Sequence, residues 1–221
     1  TFKNNINTTL DVSFNRIDNF LESYNYYLNF YWRDTHTDFT ILANDNLKKK
    51  AFVYETILKL YRELVRVFED GIIESTDLGP FRVELMPVKK MVATMPKERV
   101  KYIEDYLPDI LRKRIARLRE WLEVSIKKLG KMVAEIQDFI EQKNDFIKIS
   151  MKYEDKKMVV EQITEMYELL QNNEIALTNQ DREQYVQMTG IVAQFVTVLH
   201  NCELSSSKNN DRFTKFACKH F

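Results

Sequence analysis

From Asp109 to Gln171, apolar residues return at three- and four-residue steps. Gly130 is the single glycine in that run, and no proline falls inside it. A period near 3.6 held over such a length builds helices. The whole chain obeys the same restriction, with only four Gly and four Pro among 221 residues. A sandwich, a barrel or a Rossmann sheet needs many turns and so many of these residues. The expected fold is therefore all-α: an elongated bundle of long helices, with one short extended or β element near 79–87. Within the long run, Ile136, Ile140, Ile147, Met151 and Met158 step by four and seven, a coiled-coil-like spacing. The repeat is imperfect, so packing within a bundle is expected, with a division near Gly130 or at "ISMKYEDKK".

One stretch breaks the helical rhythm. In "DLGPFRVELMPVKK", Gly79, Pro80 and Pro87 bracket Phe81, Val83 and Leu85 in strict alternation. Alternation is the mark of a strand. It predicts a short edge strand lying against helices, with a turn at Gly79. Pro80 and Pro87 would deny backbone donors at its ends and limit stray pairing. The stretch holds no nucleophile, no histidine and no series of glycines, so it reads as a structural joint.

The chain is expected to form one segment over 1–221: first helices at 1–70, the extended joint at 71–87, long kinked helices at 88–171, and C-terminal helices at 172–221. The first helix is predicted over Leu10–Trp32, followed by a short one carrying Phe39, Ile41 and Leu42. Another covers Ala51–Asp70, with Val53, Ile57, Leu60, Leu64 and Phe68 as its apolar stripe and Gly71 as its cap. "TMPKE" reads as a fresh helix start, with Thr94 as N-cap and Pro96 near N1. Pro108 is expected to kink or restart the helix. Thr178 with Asp181 resembles a capping box opening a helix through about His200. "ELSSSKNND" reads as a polar loop or weak helix, and a last short helix would hold Phe213, Phe216 and Phe221.

Charge narrows the partners. The 33 basic and 33 acidic residues cancel, whereas nucleic-acid binding draws on a basic excess. No apolar run approaches bilayer length, so no membrane partner is expected. Two cysteines are too few for a disulfide framework, which places the chain by default in a reducing compartment. The sequence lacks both a signal-peptide pattern and a starting Met, and the expectation is a piece of a longer chain.

Four residue groups invite chemical readings. His200, Cys202, Cys218 and His220 form mirror-image pairs, and two His with two Cys can build a tetrahedral zinc site. Residues two apart on a helix point about 200° away from each other, however, so neither pair chelates well. The competing reading is two buried thiols with surface or cap histidines. The run Arg112, Lys113, Arg114, Arg117 and Arg119 offers a basic surface for phosphate, a membrane or an acidic partner. Ile115 and Leu118 interleave it, so it also reads as a solvated flank of an apolar seam. "YNYYLNFYW", Tyr24 to Trp32, contains no basic residue and reads as a core or partner-facing helix. His36 reads as a cap-region histidine. No phosphate-loop, dinucleotide, zinc-protease or nucleophile-elbow motif occurs, and no carboxylate stands out as a general acid or base. Neither an enzyme nor a cofactor is expected in this segment.

"VVEQITEMYELLQNNEIALTNQDREQY", Val159 to Tyr185, resembles the tail of dynein heavy chains, particularly the axonemal branch. Ile163, Tyr167, Leu169 and Leu170 are followed by "QNNE", then Ile175 to Leu177, then "TNQD". "FNRIDNFLESYNYYLNFYWRD", "FVYETILKLYRELVRV", "GPFRVELMPVKKMV", "LRKRIARLREWLEVSIKKL" and "FTKFACKHF" are similar to further tail segments in the same order, so the resemblance covers nearly the whole chain. It implies a non-catalytic tail segment just before the linker, transmitting force between the ATPase motor and its attachment base. ATP, Mg and microtubule binding would belong to the parent chain. Intermediate and light chains, other heavy chains or docking proteins would be the partners, in the cytoskeleton of the ciliary axoneme. The alternative is a stand-alone helical interaction or tethering domain unrelated to dynein.

Overall fold

The structure is a computed structural model. It describes the backbone of residues 2–35 and 50–220, and side chains at 3, 5–34 and 50–210. The expected short helix at Phe39, Ile41 and Leu42, and His36, lie outside the described residues. Among the described residues there are six helices and one two-stranded sheet: α1 (Phe2–Ser23), α2 (Asn25–Thr35), α3 (Ala51–Gly71), β1 (Ser75–Leu78), β2 (Phe81–Glu84), α4 (Met86–Leu129), α5 (Ile136–Asn172) and α6 (Asn179–His220). The fold is thus all-α with one short β element. Two compact units divide the chain, Thr1–Tyr106 and Leu107–Phe221. α4 supplies residues 86–106 to the first and 107–129 to the second.

In the first unit, the expected helix over Leu10–Trp32 begins earlier and breaks at Tyr24. There Ser23 donates its hydroxyl to the Phe20 carbonyl at 2.6 Å, a local bond that competes with the backbone ladder. The break turns Tyr24 inward, and Tyr27 and Phe30 set their rings edge-on against Phe68 at 5.3 and 5.4 Å. Tyr26 and Trp32 are exposed. Gly71 is the last residue of α3 and Ile72, not Gly71, is its cap; glycine is needed there because an added Cβ would run into the Tyr27 hydroxyl. The α3 core is Tyr54, Leu58, Tyr61, Leu64 and Phe68; of the expected stripe Leu64 and Phe68 are buried, Val53 and Ile57 are half-buried, and Leu60 is exposed.

α4 overrides two sequence signals. Thr94 does not cap a new helix; its hydroxyl bonds back to the Lys90 carbonyl at 2.6 Å within a continuous helix. Pro96 and Pro108 both lie inside α4, and both are buried. Each removes one helical hydrogen bond, and the burial of Met95 and Leu107 beside them offsets that loss. The helix ends instead at Gly130. Gln142, buried on α5, donates its amide to the Leu129 and Lys131 carbonyls at 2.9 and 3.0 Å. It thereby satisfies groups that a helix end leaves open.

The second unit packs Leu107, Ile110, Leu111, Leu118 and Leu122 of α4 with Ile163, Met166 and Leu170 of α5 and Met188 and Phe195 of α6. Trp121 and Tyr153 flank Phe195 with ring centroids at 5.5 and 4.9 Å. α5 runs unbroken through "ISMKYEDKK". α6 also continues through "ELSSSKNND" to His220, so the expected polar loop and separate last helix are one helix.

Candidate functional site

The joint is a β-hairpin. β1 pairs with β2 antiparallel, Leu78 opposite Phe81 and Ser75 opposite Glu84. Gly79 and Pro80 form its two-residue turn. Gly79 takes φ +68° and Pro80 is locked near −65°, the sign pattern of a type II′ turn, which suits the twist of a hairpin. The expected single strand thus has a partner, "STDL", which carries no strand signal in the sequence because it lacks alternating apolar residues. Pro80 sits in the turn, and Pro87 in the first turn of α4, where a missing N–H costs nothing. Neither guards a strand end as expected. Phe81 and Val83 are half-buried while Arg82 and Glu84 are exposed, and Leu85 is buried just beyond the strand. The Leu85 N–H donates to the Glu74 carbonyl at 2.8 Å, so the hydrogen bonding between the two arms continues up to the residue before α4. It docks on α1 through the Phe14 and Phe81 rings, 5.1 Å apart, and through Gly79, where an added Cβ would lie 2.7 Å from the Ser13 hydroxyl.

A buried carboxylate fastens the first unit. Asp34 of α2 is 8% exposed. It accepts the Tyr61 hydroxyl of α3 at 2.5 Å and the Arg99 Nε of α4 at 2.9 Å, while Arg99 Nη2 donates to the Asp34 carbonyl at 3.1 Å. Burial, followed by the hydrogen bond and the negative charge of Asp34, pushes the Tyr61 hydroxyl well above its ordinary value. The sequence hid this site, because its members lie 27 and 65 residues from Asp34.

The second unit has a counterpart. Asp181, 2% exposed, accepts Arg112 Nε at 2.6 Å and Nη2 at 3.0 Å in a two-pronged pair. It also accepts the Thr178 N–H at 2.9 Å and hydroxyl at 2.7 Å. The Asp181 N–H in turn reaches the Thr178 hydroxyl at 3.1 Å, so the expected capping box is present. The Arg112 hydrogen bond, then those from Thr178, hold the Asp181 carboxyl well below the usual carboxylate range against the opposing effect of burial.

The five basic residues do not form one surface. Arg112 is committed to Asp181, and also meets Asp109 at 2.6 Å. Arg114 is buried at 4% exposure, and Arg119 donates to Glu123 and Gln187. Lys113 and Arg117 remain exposed. A helix turns 100° per residue, so five near-consecutive cations scatter around it.

The His/Cys pairs lie far apart along one helix. All four positions lie on the single helix α6, where Cys202 and Cys218 stand about 24 Å apart along the axis. His200 is exposed while Cys202 is buried, and burial raises that thiol's pKa. The side chains of Cys218 and His220 lie outside the described residues. Among the described residues no group of three or more His, Cys, Asp or Glu is placed to hold a metal.

The segment that carried the dynein resemblance is a packing corner. Ile163 and Leu170 are fully buried, Leu169 and Ile175 nearly so, and Tyr167 stacks on Tyr185 with ring centroids 3.9 Å apart. α5 ends in a Schellman motif: the Ile175 N–H reaches the Leu170 carbonyl at 2.9 Å and the Glu174 N–H reaches Gln171 at 3.1 Å. Glu174 occupies the left-handed position, with φ +56°. No known protein family matches the sequence, and no curated protein does.

Proposed function

We propose that this chain is a non-catalytic structural segment of the tail of a dynein heavy chain of the axonemal type, transmitting force between the ATPase motor and its attachment base. The observation that carries the reading is lateral fastening. In each unit a buried carboxylate bonds helices whose residues are up to 65 and 69 positions apart. Helices packed side by side stiffen one another only when they cannot slide, and a buried, geometrically fixed charge pair opposes sliding more firmly than apolar contact, which is non-directional. The ordered resemblance from "FNRIDNF" to "FTKFACKHF" supports the same reading. On this reading ATP, Mg and microtubule binding belong to the parent chain, and intermediate chains, light chains, other heavy chains or docking proteins meet this segment in the ciliary axoneme.

An antibody against the chain is expected to stain axonemes and to precipitate a very large polypeptide with ATPase activity. The purified 221-residue chain is expected to be strongly helical and to turn over no ATP. ATP hydrolysis abolished by a substitution within this chain would sink the proposal. The second reading, a stand-alone helical interaction domain, draws on the exposed Ile and Met side chains along α5. It wins if the antibody detects a polypeptide little longer than this chain.

A further inference from the structure

Ile136, Ile140, Ile147, Met151 and Met158 share one face of α5, and all five are exposed, from 46% at Ile140 to 74% at Met151. Over the same stretch of α5 the buried residues Phe139, Gln142 and Ile149 lie on another face. The stripe is therefore left over after the second unit has packed. Its steps of four and seven make an eleven-residue repeat. Eleven residues close three helical turns to within about 20°, so the stripe runs nearly parallel to the axis and suits a straight partner helix.

We infer that a second copy of this chain docks along this stripe, the two α5 helices lying antiparallel about a two-fold axis near residue 149. In that register Ile140 stands level with Met158 of the second copy, and Ile147 with Met151, so apolar residues meet apolar residues. The flanking charges decide the direction. At 100° per residue, Lys143 and Glu154 fall on one flank of the stripe, and Asn144 and Asp155 on the other. All four are exposed. An antiparallel two-fold pair brings like flanks together, so Lys143 of each copy meets Glu154 of the other, and the Asn144 amide meets the Asp155 carboxylate. A parallel pair brings opposite flanks together at equal height, setting Glu154 against Asp155 twice. The pattern is thus self-complementary in one direction and repulsive in the other. Glu154 also pairs with Lys157 at 2.7 Å, but both are exposed, and such a pair exchanges at little cost. The inference does not depend on the dynein reading.

The seam from Ile140 to Met158 is about 27 Å long, short for a standard interface, so association is expected on the order of tens of micromolar. Sedimentation of the whole chain from about 1 to about 100 μM should show monomer passing to dimer. Ile147→Glu should abolish the dimer while leaving the helical melting curve unchanged, since Ile147 is exposed. Lys143→Glu and Glu154→Lys should each weaken it about tenfold, and an equimolar mixture of the two variants should restore it. A chain that stays monomeric throughout overturns the inference, as does a dimer indifferent to Ile147→Glu, or a mixture no better than either variant alone.

Discussion

The two units solve the same problems with opposite materials. Each contains a buried aspartate that fastens helices, Asp34 in the first and Asp181 in the second. Each also holds a left-handed residue at a chain reversal, Gly79 and Glu174 respectively. The first unit places the ideal residue at its turn, but assembles its aspartate site from distant helices. The second nests its aspartate in a local capping box, but reverses its chain on a residue unsuited to the conformation. Local fitness at one site evidently does not require it at the other, because packing supplies what local preference lacks.

The comparison is most sharply tested by removing the arginines. Arg99→Met leaves the Asp34 carboxylate buried without its cationic partner and is expected to cost about 3 kcal/mol in denaturant titration. Arg112→Met should cost less, about 2 kcal/mol, because Arg112 is 42% exposed and water screens part of its contribution. Equal losses would mean that the two sites are not graded by burial. The turns come next. Gly79→Val forces a branched side chain into positive φ and against Ser13, and should cost about 2 kcal/mol. If helix content and thermal stability are unchanged, the hairpin turn is not what positions the start of α4. Glu174→Gly should do the reverse, stabilising by about 1 kcal/mol by relieving the strain. A destabilised variant would show that the Glu174 side chain contributes more than its backbone costs.

The smallest effects are in pH. Asp181 has a depressed folded-state value, so its contribution is complete above the unfolded carboxylate value, about 3.9. It is lost as pH falls through the folded value. Tyr61 has a raised value, so its contribution is complete below the unfolded phenol value, about 10, and fades as pH rises beyond it. The second unit's fastening should therefore erode in acid and the first's in alkali. Asp181→Asn should flatten the acid limb of the stability profile, and Tyr61→Phe the alkaline limb. If either substitution left its limb unchanged, the pH dependence would have to arise elsewhere.

Much of the scaffold was legible residue by residue. Scarce Gly and Pro with a sustained 3.6 period imply helices. The alternation of Phe81, Val83 and Leu85 implies a strand, and Thr178 with Asp181 implies a cap. Each is a property of neighbours within a few positions, where backbone geometry alone relates side chains. The failures share a cause as well. Thr94 with Pro96, Pro108 and "ELSSSKNND" were local signals for an interruption, and the burial around α4 overrode the two prolines. Spacing alone leaves two readings open for the basic run and for the His/Cys pairs, and the single helices that carry them disperse the cations and hold the two cysteines apart. Asp34, Tyr61 and Arg99 carried no signal, since nothing local marks one aspartate among many as buried. By itself, then, the sequence determined that the chain is mainly helical, the hairpin's turn residue and the cap of α6. Only the tertiary structure decided which charges are buried, which prolines are tolerated and which apolar stripe is left facing water. Those outcomes depend on contacts between residues tens of positions apart, and no local period encodes them.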